Sequence, residues 1–135
     1  MTMTSPDTAR PVALIVEDAP TVRLILTAQL RKLGFDVVAL SDGDAVLAEA
    51  HRVTPALVCL DLMLPNICGL EVVEQLRADP ATRAVPIIIT SSRRTPQDRV
   101  NAETAGADAY LLKPFDQATL EAQVRALVPG SSPSP

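Results

Sequence analysis

Short apolar runs alternate with longer amphipathic stretches along the 135 residues of this chain. The first run, VALIVE over 12–17, is continuous, the pattern of a strand buried on both faces. Residues 20–34 place Val22, Ile25, Leu26, Gln29, Leu30 and Leu33 at helical spacing. Pro20 suits the first turn of that helix and Gly34 the position after its end. The same reading predicts strands over 36–40, 56–61, 85–90 and 108–112, and helices over 42–52, 69–79, 95–106 and 116–128. The fourth helix is the best delimited, with Thr95 as N-cap, Pro96 at its first position and Gly106 at its close. This alternation predicts an α/β fold, a doubly wound five-stranded parallel sheet with five helices on its two faces. The polar ends, 1–11 and 129–135, read as a flexible arm and tail around one domain at 12–128.

Composition narrows the classes. The chain is 47% hydrophobic but 2% aromatic, so aliphatic side chains must fill the core. A net charge of -4 and a pI near 4.9 argue against direct binding of nucleic acid phosphates, and Arg93-Arg94 reads as a solvated patch. No apolar run is long enough for a membrane span and the N-terminus has no apolar signal core, so a cytoplasmic protein without membrane insertion is expected. Cys59 and Cys68 have neither disulfide-framework nor metal-site spacing; Cys59 reads as a small buried hydrophobe. His51, the single histidine, reads as a surface residue.

Chemistry in such sheets gathers outside the carboxyl ends of the strands. There the sequence places Glu17-Asp18, Asp61, Thr90-Ser91-Ser92 and Lys113-Pro114. Each has a plain alternative. Asp18 can cap the first helix, an Asp such as Asp61 can be a cap or turn residue, Ser91 can sit in a turn and Lys113 can be a surface charge. Together they form a pattern that chance explains poorly. Carboxylates brought together repel unless a cation is present, and a small oxygen-rich site suits Mg²⁺. A carboxylate beside such an ion can attack phosphorus, with hydroxyl and ammonium groups meeting the phosphoryl oxygens.

The stretches LIVED, LDLMLPNICGLEVVEQLR, VPIIITSS and AGADAYLLKPF occur in this order, and over roughly 12–128 the chain resembles the receiver domain of two-component response regulators. The resemblance implies a flavodoxin-like strand order of 2-1-3-4-5. It implies that Asp61 accepts the phosphoryl group from phosphohistidine, and that Glu17, Asp18, Asp61 and the backbone carbonyl of Met63 hold Mg²⁺. Ser91, twenty-two residues before Lys113, takes the place of the family's hydroxyl in preference to Thr90 or Ser92. Lys113 binds phosphoryl oxygens, the Lys113–Pro114 bond is expected to be cis, and Tyr110 occupies the place of the aromatic switch residue. The plain alternative for Tyr110 is a half-buried strand residue with its hydroxyl in water.

The implied partners are a histidine kinase or histidine phosphotransfer protein and a downstream protein target. The chain is expected to be a switch that dephosphorylates itself slowly, not a turnover enzyme, and a monomer or weak homodimer. Its ending after the fifth helix suggests a stand-alone regulator. The alternatives are a receiver-like scaffold that is never phosphorylated and a receiver trimmed from a larger multidomain regulator. A phosphatase of the haloacid dehalogenase type needs a second Asp two residues after the first, and here Leu62 and Met63 follow Asp61. A nucleotide or flavin module needs a phosphate loop where EDAPTVR offers acids.

Overall fold

The structure is a computed structural model and describes residues 10–129. In chain order the elements are β1 (Val12–Val16), α1 (Pro20–Lys32), β2 (Asp36–Leu40), α2 (Val46–Val53), β3 (Leu57–Asp61), α3 (Gly69–Ala78), β4 (Ile87–Ser91), α4 (Pro96–Ala105), β5 (Ala109–Leu112) and α5 (Gln117–Leu127). The strands form one parallel sheet in the order β2-β1-β3-β4-β5. After β1 the chain runs outward to β2, then returns to place β3 on the other side of β1. That reversal opens the crevice between the carboxyl ends of β1 and β3.

Strand alternation divides the core in two. Leu14, Val16, Val58, Leu60, Ile87, Ile89 and Tyr110 join Val46, Val72, Val73 and Leu76 on one face. Ala13, Ile15, Leu57, Cys59, Ile88 and Leu111 join Leu26, Leu30, Phe35, Leu120 and Val124 on the other. Phe35 is the one aromatic side chain that is completely buried, in keeping with an aliphatic core.

Three local details depart from the sequence pattern. The predicted second helix starts as a 3-10 turn, Gly43–Ala45, because the Asp42 carboxylate accepts the Asp44 N–H at 2.6 Å and draws the chain into a tighter turn. It ends at Thr54, which is left-handed (φ 43) and precedes Pro55. The fourth strand starts at Ile87 rather than Val85, as Pro86 has no N–H for the ladder. Ile25 belongs to the inward stripe by spacing yet is 53% exposed, because it borders an open groove.

Arg10, at the edge of the expected arm, donates from Nε to the Gly34 carbonyl and from Nη2 to the Arg31 carbonyl, both at 3.1 Å. It closes the C-terminal end of α1, where a cation also suits the helix dipole. The rest of the expected arm, 1–9, and the tail from 130 lie outside the described residues. Among the described residues no helix is long and apolar enough to cross a membrane. Cys59 is buried, which pushes its thiol pKa up to about 12, and Cys68 is exposed. His51 is exposed and meets Asp79 at 2.8 Å.

Candidate functional site

Glu17, Asp18 and Asp61 converge at the β1–β3 crevice, each offering one carboxylate oxygen within 4.8 Å of the others. Glu17 is the residue after β1, and it is buried. Its Oε1 accepts from Lys113 Nζ at 2.7 Å and its Oε2 from the Ala19 N–H at 3.1 Å. Asp61 ends β3 and is also buried; Oδ2 accepts from Lys113 Nζ at 3.1 Å and Oδ1 from the Met63 N–H at 3.1 Å. One lysine thus bridges the two buried acids. Partial burial alone lowers the pKa of Lys113, but its hydrogen bonds to Glu17 and Asp61 and their charges outweigh that, leaving it above its ordinary value.

Asp18 is exposed, and α1 is capped by Ala19 with no side-chain bond, so the capping alternative for Asp18 does not hold. Among the described residues its carboxylate has no hydrogen-bond or ion-pair partner. Asp61 is not a helix cap either, since Cys68 precedes α3. Gly69 opens α3 against the end of β3; a Cβ there would lie 2.5 Å from the Asp61 carbonyl oxygen and 2.9 Å from Leu62 Cα. The Lys113–Pro114 bond is cis.

Sequence reasoning missed Arg23. From α1 it donates to the backbone carbonyls of Glu17 at 2.8 Å and Asp18 at 3.3 Å, tying down the acidic turn and adding positive charge beside it. The available signal was a basic residue about one turn into the helix that follows an acidic pair.

The hydroxyl group stands on the other side of β3. Asp61 is level with Thr90 in the ladder, and Ser91 follows as the last residue of β4. By alternation Ser91 shares the face of Ile87, Ile89 and Tyr110. Its Oγ accepts the Arg93 N–H at 3.0 Å, so it also serves the turn. Tyr110 is buried, and its hydroxyl donates to the Arg93 carbonyl at 2.9 Å rather than standing in water. Arg93 is therefore held at its N–H by Ser91 and at its carbonyl by Tyr110. Its guanidinium pairs with Asp98 at 3.3 Å, and Arg99 lies 5.2 Å from the centroid of the tyrosine ring.

Three hard oxygen donors, two of them buried, fit a divalent cation of the Mg²⁺ type. The half-buried Lys113 offsets part of the repulsion between them.

Known proteins match this arrangement. The family described as "Response regulator receiver domain" matches residues 13–125. The DNA-binding response regulator MtrA of Mycolicibacterium smegmatis is 41% identical over 120 residues, covering 89% of this chain and 51% of that protein. The chain thus spans about half the length of that curated relative. A putative response regulator from Chloroflexus aurantiacus superposes with a TM-score of 0.85 at 28% identity, covering 89% of this chain and 98% of the other. The receiver domain of sensor histidine kinase PA1611 from Pseudomonas aeruginosa gives 0.82 at 32% identity, over 89% and 98%; in that structure a magnesium ion is coordinated in the active site cleft. On sequence, fold and the convergence of acids at the β1–β3 crevice, the chain belongs to the response regulator receiver domain family, whose members are phosphorylation-controlled signalling switches rather than, in general, turnover enzymes.

Proposed function

We propose that Asp61 is the phosphoacceptor of this receiver and that phosphohistidine of a histidine kinase or phosphotransfer protein is its donor. The observation that carries the reading is the Lys113 bridge between two buried acids, with the unpartnered Asp18 beside them. An Asp61 oxygen attacks phosphorus, a P–O bond forms, and the P–N bond to the donor imidazole breaks. Asp61 is oriented for this by Lys113 Nζ at one carboxylate oxygen and the Met63 N–H at the other. Lys113 and Ser91 then receive phosphoryl oxygens. Glu17, Asp18, Asp61 and the Met63 carbonyl would hold Mg²⁺, which when bound neutralises charge on the transferring group.

A groove of about 150 Å³ adjoins the site, lined by Val22, Ile25, Leu26, Gln29, Lys113, Pro114 and Phe115. Leu24, 71% exposed, lies on the same helix as the exposed Ile25. Lys113 borders both groove and site, so an apolar surface around a donor histidine fits here. The resulting signal passes to a downstream protein through the α4–β5–α5 side, the chain acting as monomer or weak dimer. Ala109, Thr119 and Gln123 supply no charges on that side for a dimer held by ion pairs. Nucleic acid is not the direct partner of this domain, and self-dephosphorylation is slow.

The test is incubation with acetyl phosphate and Mg²⁺ followed by mass spectrometry. Wild type gains one phosphoryl group, Asp61→Asn none, and Asp18→Asn less at limiting Mg²⁺. A phosphoryl group retained at the wild-type level in Asp61→Asn overturns the assignment.

A further inference from the structure

Arg77 lies in the last turn of α3, at the end of the sheet away from the acids. An arginine there reads in sequence as a solvated cation on a helix C-terminus. It is instead the most heavily used donor among the described residues. Nε donates to the Gly106 carbonyl at 2.9 Å, and Nη1 to the carbonyls of Arg83 at 2.9 Å and Val85 at 2.6 Å. Nη2 donates to Asp108 Oδ2 at 2.9 Å. The same Asp108 oxygen accepts the Ile87 N–H at 2.9 Å, and the Asp108 N–H returns a bond to the Ile87 carbonyl. One guanidinium therefore joins α3 to the segment entering β4 and to the connection between α4 and β5.

The two ends of α4 are held very differently. Its C-terminal end runs into Gly106, left-handed at φ 115, where an added Cβ would lie 2.8 Å from Arg77 Cγ. Arg77 seats that end by its bond to Gly106, with Asp108 two residues on. The N-terminal end depends on Tyr110, through its hydroxyl bond to Arg93 and the Arg99 contact with its ring. Between the ends, Ala102 is the one fully buried side chain of the helix. An alanine gives little interlocking surface, so the helix body does not fix its own orientation.

We propose that Arg77 is the positioning residue that fixes the pivot of α4. A change at Ser91 then swings the N-terminal end of the helix while the C-terminal end stays seated on α3 and β4. The inference rests on the phosphoacceptor reading and adds the residue that gives the response its direction. Ser91 and Tyr110 already hold opposite ends of Arg93, so movement of Ser91 reaches the N-terminal end first. A helix clamped at one end and loosely held at the other turns about the clamp.

The experiment uses the full chain with and without Mg²⁺ and beryllofluoride. Fluorine NMR follows binding of the mimic, and amide hydrogen exchange follows α4. In wild type the mimic is expected to alter exchange over 92–99 and leave 102–108 unchanged. In Arg77→Gln, exchange over 102–108 is expected to rise roughly fivefold as hydrogen bonds are lost, and the mimic-induced change to spread along the helix. Asp108→Asn, a milder change in the same clamp, is expected to fall between the two, and carries the test if Arg77→Gln does not fold. Val124→Ala weakens the core under α5 and is expected to keep the wild-type pattern. A response spread over all of α4 in wild type overturns the pivot. So does confinement to 92–99 in both clamp variants, or the same spreading in Val124→Ala, which would reduce Arg77 to a stabilising residue. Absence of any mimic binding to wild type overturns the phosphoacceptor reading and the pivot with it, whereas binding with the wrong pattern overturns the pivot alone.

Discussion

Helices α1 and α4 lie on opposite faces of one sheet and are anchored in opposite ways. Helix α1 buries Leu26 and Leu30, followed at once by Leu33, and Arg10 closes its C-terminal carbonyls. Helix α4 buries only Ala102 and is held mainly at its ends. By alternation Glu17 and Asp61 continue the series of strand residues that pack against α1 and α5, whereas Ser91 and Tyr110 are on the face that carries α4. The proposed phosphoryl transfer needs fixed geometry, and the acids assigned to it stand over the well-packed face. The proposed response needs an element with little stability of its own, and α4 has the fewest buried side chains of the five helices.

The contrast is most sharply tested by truncating one buried side chain on each side. Leu30→Ala should cost about 2–5 kcal/mol in urea unfolding. Ala102→Gly should cost only about 1 kcal/mol, nearly all of it helix propensity. Equal losses would mean that α4 is packed as firmly as α1.

The second way to press the comparison is through the lifetime of the phosphoryl group. Met63 is 57% exposed, with only a weak thioether acceptor, and Arg93 is a pure donor already turned toward Asp98. Neither orders an attacking water well. Placing polar acceptors there, in Met63→Asn and Arg93→Glu, should speed loss of the phosphoryl group roughly tenfold, the equivalent of about 1.4 kcal/mol in the transition state. Unchanged decay in both variants, followed by intact-mass spectrometry in excess Mg²⁺, would mean that the lifetime is set elsewhere.

Smaller effects are expected at the periphery. Arg10→Gln should lower stability by about 0.5 kcal/mol, since an exposed cap on α1 contributes little more. Asp79, held by the Ala81 N–H and His51, and Asp98, held by Thr95 and Arg93, both titrate below the ordinary 3.8. Their contribution is complete above that value and is lost as the pH falls through the lowered pKa values. The Asp79→Asn and Asp98→Asn variants should therefore be less stable than wild type at neutral pH, and the deficit should shrink as the pH falls below 3.8 and wild type loses the same contribution, a convergence visible in urea unfolding followed by circular dichroism.

Much of this architecture was legible in the sequence because it rests on periodicity and position. Apolar runs and capping residues placed each strand and helix close to where it stands, and the fold rule then brought Glu17, Asp18, Asp61 and Lys113 to one crevice. What escaped was bonding to backbone atoms, which leaves no trace in residue type. Arg77, Arg10 and Arg23 all donate to carbonyls contributed by loops or helix ends. The Tyr110 hydroxyl finds the Arg93 carbonyl in the same way. Ile25 escaped for a different reason: spacing says which side of a helix it occupies but not whether anything covers that side.

The glycine that opens α3 gives the molecule a mechanical asymmetry. With no side chain between Gly69 and the carbonyl of Asp61, helix and strand are in direct backbone contact, and nothing soft separates them. A load applied at Asp61 cannot be absorbed on that side, because compressing backbone against backbone is steeply resisted. On the β4 side the link from Ser91 onward is a side-chain hydrogen bond, the Arg93 N–H to Ser91 Oγ at 3.0 Å, which gives way more readily than backbone packed on backbone. In the proposed transfer the stiff wall at Gly69 is the abutment for a group joined to Asp61, and Gly69→Ala should misplace Asp61 itself while leaving the Ser91 side unchanged.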